Sequence, residues 1–159
     1  AKAPENIWIG IALSDAQRQL RLDQAASQTL QKQLAFHPDH PVLSLKLAQL
    51  WMEDNPERAY PFLRQALRNA PHHDALLGAL AEAAARTNRP IEHHEALGMY
   101  FMAQQRLPEA LSEFETALAL TRQEALGDTN IARQRLDAQI KLVEAQILAA
   151  RERKQQQRH

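Results

Sequence analysis

Phrases of small and large apolar residues recur in this chain thirty-three positions apart, and no other feature restricts its fold as strongly. Leu47, Ala48 and Trp51 are answered by Leu80, Ala81 and Ala84, while Ala26, Leu30 and Pro38 are answered by Ala59, Leu63 and Pro71. A further set, Leu97, Gly98 and Phe101, is followed by Ala110, Phe114 and Ala117. Steps of three and four within a phrase put its members on one face of a helix. A fixed period of this length marks stacked units, each too small to bury its apolar face alone. The small residues let two helices approach closely, and the large ones fill the groove beside that contact.

Composition and punctuation agree. Ala and Leu dominate and Val is nearly absent, which favours helix because unbranched side chains lose little rotamer freedom there. The expectation is an all-α chain. Pro is tolerated in a helix only near its start, so Pro38, Pro41, Pro56, Pro71, Pro90 and Pro108 act as boundaries. They give helices over Glu5 to Leu20, Leu22 to Phe36, Pro41 to Glu53, Pro56 to Asn69, His73 to Thr87, Pro90 to Gln105 and Pro108 to Leu126, with a longer one from Thr129. Asn55 caps the fourth helix, Asp128 or Thr129 caps the last, and Pro61 predicts a kink or a late start.

The phrases resemble the tetratricopeptide (TPR) pattern, a helical pair with Leu-Gly or Leu-Ala and an aromatic in its first helix and Ala-x-x-x-Phe in its second. Leu97 to Ala117 matches best, and Leu47 to Pro71 lacks one residue in its turn. A full repeat does not fit between Thr87 and Pro108, so the helix near 90–105 either serves two neighbours or has lost its partner. The resemblance implies a TPR helical-hairpin solenoid, one domain over 1–150 with about three to four helical pairs. The last helix strings Ile131, Leu136, Ile140, Val143 and Ile147 into an apolar stripe. It reads as the capping helix, with a polar outer side, that a solenoid's end requires. Residues 151–159 carry no apolar face and read as a frayed or disordered tail.

A closer family resemblance rests on three stretches. They are His93-His94-x-x-Leu97-Gly98-x-Tyr100-Phe101, then Arg106-Leu107-Pro108-Glu109-Ala110, then Ala132-Arg133-Gln134-Arg135-Leu136-Asp137-Ala138-Gln139-Ile140. Together they resemble the C-terminal TPR region of bacterial periplasmic zinc metalloproteases of the BepA type, departing from the family at Gln139 and Gly98. The resemblance implies a periplasmic location, a role in envelope protein quality control and an HExxH protease domain elsewhere in the parent, with zinc implied only for that domain. The alternative is a freestanding TPR scaffold in envelope or cytochrome assembly. The chain opens without Met, and its start, AKAPEN, reads like the middle of a longer one.

Chemistry of its own is not expected. The string His94-Glu95-Ala96-Leu97-Gly98 places Gly where HExxH needs its second His, so two imidazoles cannot meet one zinc ion. There is no GxSxG and no Gly-rich phosphate loop, and without Cys there is no thiolate site. The pairs His37 and His40, His72 and His73, and His93 and His94 read as turn or helix-end residues. No cofactor and no metal is assigned. Nineteen Lys and Arg against nineteen Asp and Glu give zero formal charge, which disfavours nucleic acid because several phosphates must be neutralised on one face. No apolar run reaches the roughly 18–20 residues that span a bilayer, so membrane insertion is not expected.

What remains is a polypeptide partner, including the parent's own protease domain. In a TPR stack the first helix of each pair lines the concave surface. The residues there that do not serve the internal contact are Leu45, Gln49, Met52, Glu82, Ala85, Arg86, Met99 and Met102. Three Met among them suggest a hydrophobic groove that adapts to its ligand.

Overall fold

The computed structural model describes residues 6–123 and 129–157. Glu5, Leu126 and Asp128, which the sequence reading used as helix ends or a cap, lie outside them. Among the described residues there are eight helices and no strand: α1 (Ile7–Gln19), α2 (Asp23–Phe36), α3 (Pro41–Asp54), α4 (Pro56–Asn69), α5 (Asp74–Arg86), α6 (Pro90–Ala103), α7 (Leu107–Gln123) and α8 (Thr129–Gln156). The all-α expectation holds. The chain divides between Pro71 and His72 into two compact units, where the sequence suggested a single domain.

In the first unit α2 packs on α1 and α3, and α4 packs on α3. Short connections force each helix back along its predecessor. Asn6 Oδ1 accepts from the Trp8 N–H at 3.0 Å and Asn55 Oδ1 from the Arg58 N–H at 3.2 Å, capping α1 and α4. Pro41 and Pro56 occupy first-turn positions whose N–H groups have no helical acceptor anyway. Pro61 does not delay α4, which is continuous from Pro56. Ile11, Ala26, Leu30, Leu43, Leu47 and Leu50 form the core, with Trp51 and Phe62 packed against it.

In the second unit α6 packs on both α5 and α7, and α7 packs on α8. The helix near 90–105 therefore serves two neighbours. Both of its connections use one device. Asn88 (φ 55°) and Gln105 (φ 59°) take the left-handed conformation just past a helix end. The next N–H then reaches back to a helical carbonyl, Arg89 to Ala84 and Arg106 to Phe101, each at 2.9 Å. Arg21 (φ 59°) repeats this between α1 and α2, where Leu22 N–H donates to the Gln17 carbonyl at 2.8 Å.

Ile91, Ala110, Phe114, Ala117, Leu136 and Val143 form the second core, with Ile140 and Ile147 packed against it. Gly98 is where α6 and α7 touch: a Cβ built there would stand 2.5 Å from Phe114 Cε1. Two features of α8 differ from the sequence reading. Ile131 is 68 % exposed and off the buried stripe, because five residues of helix turn about 500° and leave it roughly 140° from Leu136. The helix also continues through Gln156 instead of fraying after Ala150, since Arg, Glu, Lys and Gln are good helix formers in water.

Candidate functional site

The residues proposed from sequence to face a partner fall into two groups that the structure treats differently. In the first unit Gln49 is exposed and Leu45 half-buried, but Met52 is only 4 % exposed. Met52 belongs to the interior and presents no surface to a ligand. Around Gln49 the surface is ionic. Lys46 and Glu53 lie three positions before and four after it, on the same face of α3. Lys46 Nζ meets Asp15 of α1 at 2.7 Å, and Arg18 of α1 pairs with Glu53. A hollow of about 500 Å³ adjoins, lined by Asp15, Arg18, Gln19, Arg21, Asp23 and Glu53.

A second hollow of about 400 Å³ lies between α2 and α3. Its floor is Trp51, whose indole Nε1–H donates to Ser27 Oγ at 3.2 Å. The Arg58 guanidinium stands 3.8 Å from the centroid of that ring, and Phe62 meets its edge at 5.0 Å between centroids. Gln24, Gln28 and Gln31, at steps of four and three along α2, supply one wall. The sequence reading places Trp51 only as the apolar member of the Leu47, Ala48 and Trp51 phrase. The signal it passed over was the one-residue turn at Asn55, which brings the first turn of α4 back over the end of α3.

In the second unit Glu82, Ala85 and Arg86 are exposed on α5, and Glu82 and Arg86 pair at 2.7 Å. Met99 and Met102 are half-buried and packed against the core of α7 and α8. Both sulfurs therefore serve packing first. Of the three Met, one is buried and two are half-buried, and the exposed residues among the eight are Gln49 in the first unit and Glu82, Ala85 and Arg86 in the second.

The polar run that fails as a protease motif has a structural role. His93 Nδ1 lies 2.8 Å from the Ala81 carbonyl of α5, an atom that only accepts, so Nδ1 carries the proton. His94 Nδ1 meets Glu113 Oε2 of α7 at 2.7 Å. Glu95, buried, takes both Nε and Nη2 of Arg135 in α8, at 2.5 and 2.6 Å. Three consecutive residues thus tie α6 to three different helices. Arg133 does the same for α8 and α7, donating to the Thr121 carbonyl at 2.7 Å. The arginines of the 132–140 stretch are joints between helices.

Among the described residues no group of three His, Asp or Glu is placed to hold a metal ion, and no helix is long and apolar enough to cross a membrane. Comparison with protein-family models gives no match, and comparison with curated proteins gives none either.

Proposed function

We propose that the chain is a TPR-type interaction domain that binds polypeptide segments, without catalytic chemistry, metal or cofactor of its own. The observation that carries this reading is that the recurring residues are the ones that join helices. Ala26, Leu30, Leu47, Ala48, Ala59, Leu63, Ala110, Phe114 and Ala117 are all at or below 1 % exposure, while Trp51, Leu97 and Phe101 are half-buried; burial of its contact positions is what a hairpin repeat requires. Such a scaffold leaves its remaining helix faces to partners. Here those faces offer Gln19, Gln49 and mutually paired charges in the first unit and Glu82, Ala85 and Arg86 in the second. Amides and balanced charge suit the alternating donors and acceptors of a polypeptide better than a phosphate or a lone carboxylate. The resemblance of the 93–101, 106–110 and 132–140 stretches to BepA-type proteins is what supports placing the domain in a periplasmic metalloprotease of envelope quality control.

The test is binding of a fluorescently labelled, unfolded outer-membrane polypeptide and of a separately expressed HExxH protease domain, read by anisotropy. Gln49→Arg with Glu53→Arg in the first unit, and Glu82→Arg with Ala85→Arg in the second, should weaken at least one of these without loss of helicity. Binding of both probes unchanged in both variants refutes the surface assignment. Binding of neither probe by the parent chain refutes the reading itself.

A further inference from the structure

The outward side of α8 is not the polar surface expected of a capping helix. Ile131, Ala138, Leu142, Ala145 and Ala149 follow one another at steps of seven, four, three and four, the seam spacing of a coiled coil. At about 100° per residue this line lies roughly 140° around the helix from the buried line of Leu136, Val143 and Ile147. Ile131 is 68 % exposed and Leu142 49 %, Ala138 and Ala145 are exposed, and Ala149 is half-buried. The helix is 28 residues long, and its core-packed residues end at Ile147. Beyond it, Ala149, Ala150 and Arg153 border a hollow of about 300 Å³ shared with Gln105 and Leu107.

Charge interrupts the seam at Arg135 and at Glu152, and their positions choose an occupant. If a second α8 runs antiparallel with its Ala145 opposite Leu142, the same register sets Ala138 opposite Ala149 and Arg135 opposite Glu152. Large meets small, Ala meets Ala, and cation meets anion. Beside the seam, Gln139 then faces Gln146, Gln134 faces Gln155 and the Lys141 stem lies along Leu148. No like charges oppose one another. A parallel pair would set Arg135 against Arg135 and Glu152 against Glu152. Arg135 is already held in place by Glu95, and its side chain is 48 % exposed.

We propose that α8 is a self-association helix, through which two copies of this chain pair antiparallel about a two-fold axis. The surface is self-complementary, as an isologous interface must be. The inference does not depend on the TPR reading or on the polypeptide surfaces above.

Sedimentation velocity of the intact chain should show a species of twice its 18.0 kDa that dissociates on dilution. Leu142→Glu should abolish it. Glu152→Arg should raise the dimer dissociation constant roughly tenfold by facing Arg135 with a like charge. Both positions are exposed, so helicity by circular dichroism should not change. The chain has no Cys, so Ala138→Cys combined with Ala149→Cys should oxidise to a covalent dimer, while Ala138→Cys alone should not. A chain monomeric at every concentration overturns the proposal. So does a dimer that survives Leu142→Glu and does not crosslink between 138 and 149, which would place the contact elsewhere, for example on the exposed Trp8 and Ile9 of α1. Efficient crosslinking of Ala138→Cys alone would show a different register and overturn it too.

Discussion

Two glycines inside helices of the second unit make opposite predictions for one substitution. Replacing Gly by Ala in a helix interior gains about 1 kcal/mol from backbone entropy alone. At Gly78 of α5 the new methyl would meet Tyr100 Cε2 at 3.5 Å, an ordinary contact. Gly78→Ala should therefore stabilise by about that amount. At Gly98 of α6 the same methyl would stand 2.5 Å from Phe114 Cε1, 2.7 Å from Cδ1 and 2.8 Å from Cζ. Phe114 is fully buried among Ala110, Ala117 and the α8 side chains, so the ring has nowhere to swing, and overpacking of this kind costs about 1–3 kcal/mol. The net for Gly98→Ala is a loss of up to about 2 kcal/mol. Because both glycines lie in one unit, urea unfolding followed at 222 nm compares them on the same transition. The midpoints should move in opposite directions. Phe114→Leu, itself destabilising, should reduce or reverse the penalty of Gly98→Ala in a double-mutant cycle. If Gly98→Ala stabilises as much as Gly78→Ala, α6 and α7 are not in contact at this point and the packing argument fails.

Gln33 is buried with its Oε1 lacking a hydrogen-bond partner. Gln33→Met should raise stability by about 1 kcal/mol, since an unsatisfied buried acceptor is removed at nearly constant volume; an unchanged urea midpoint would show that the amide is satisfied in solution. Gln105 holds a left-handed backbone without being Gly, so Gln105→Gly should stabilise by up to about 1 kcal/mol, and Asn88→Gly by less because Asn tolerates that region. Equal effects in thermal melts would argue against the turn geometry. Arg135→Ala leaves the Glu95 carboxylate buried without its partner and should cost about 1–3 kcal/mol, with part of the loss recovered by adding Glu95→Gln.

How far the fold was legible depended on how completely each residue is buried. The phrases at Ala26 and Leu30, Leu47 and Ala48, Ala59 and Leu63, and Ala110 and Phe114 were readable because all eight residues are buried at helix contacts, and a buried line along a helix leaves a period of three and four. The Ile131 error has the same origin in reverse: a step of five was accepted into a stripe although it turns the side chain away from the core. The candidate surfaces were less legible. Position along a hairpin shows which helix face is left over, but Met52 and Gln49 sit three residues apart and only the depth of the neighbouring side chains separates a buried residue from an exposed one. Asn55 and Pro56 marked a short turn in the letters, but the stacking of Arg58 on Trp51 depends on how tight that turn is.

His93, His94 and Glu95 show why similar letters can point toward a metal site and yet exclude one. Coordination needs side chains that converge, which on a helix means spacings of three or four. Consecutive residues diverge by about 100° each. That divergence prevents these three from meeting at one ion, and it is also what lets them reach α5, α7 and α8 separately. A helix with polar residues aimed at three neighbours cannot show one apolar face. The sequence of α6 is thus shaped by polar contacts with α5, α7 and α8 as well as by its apolar packing.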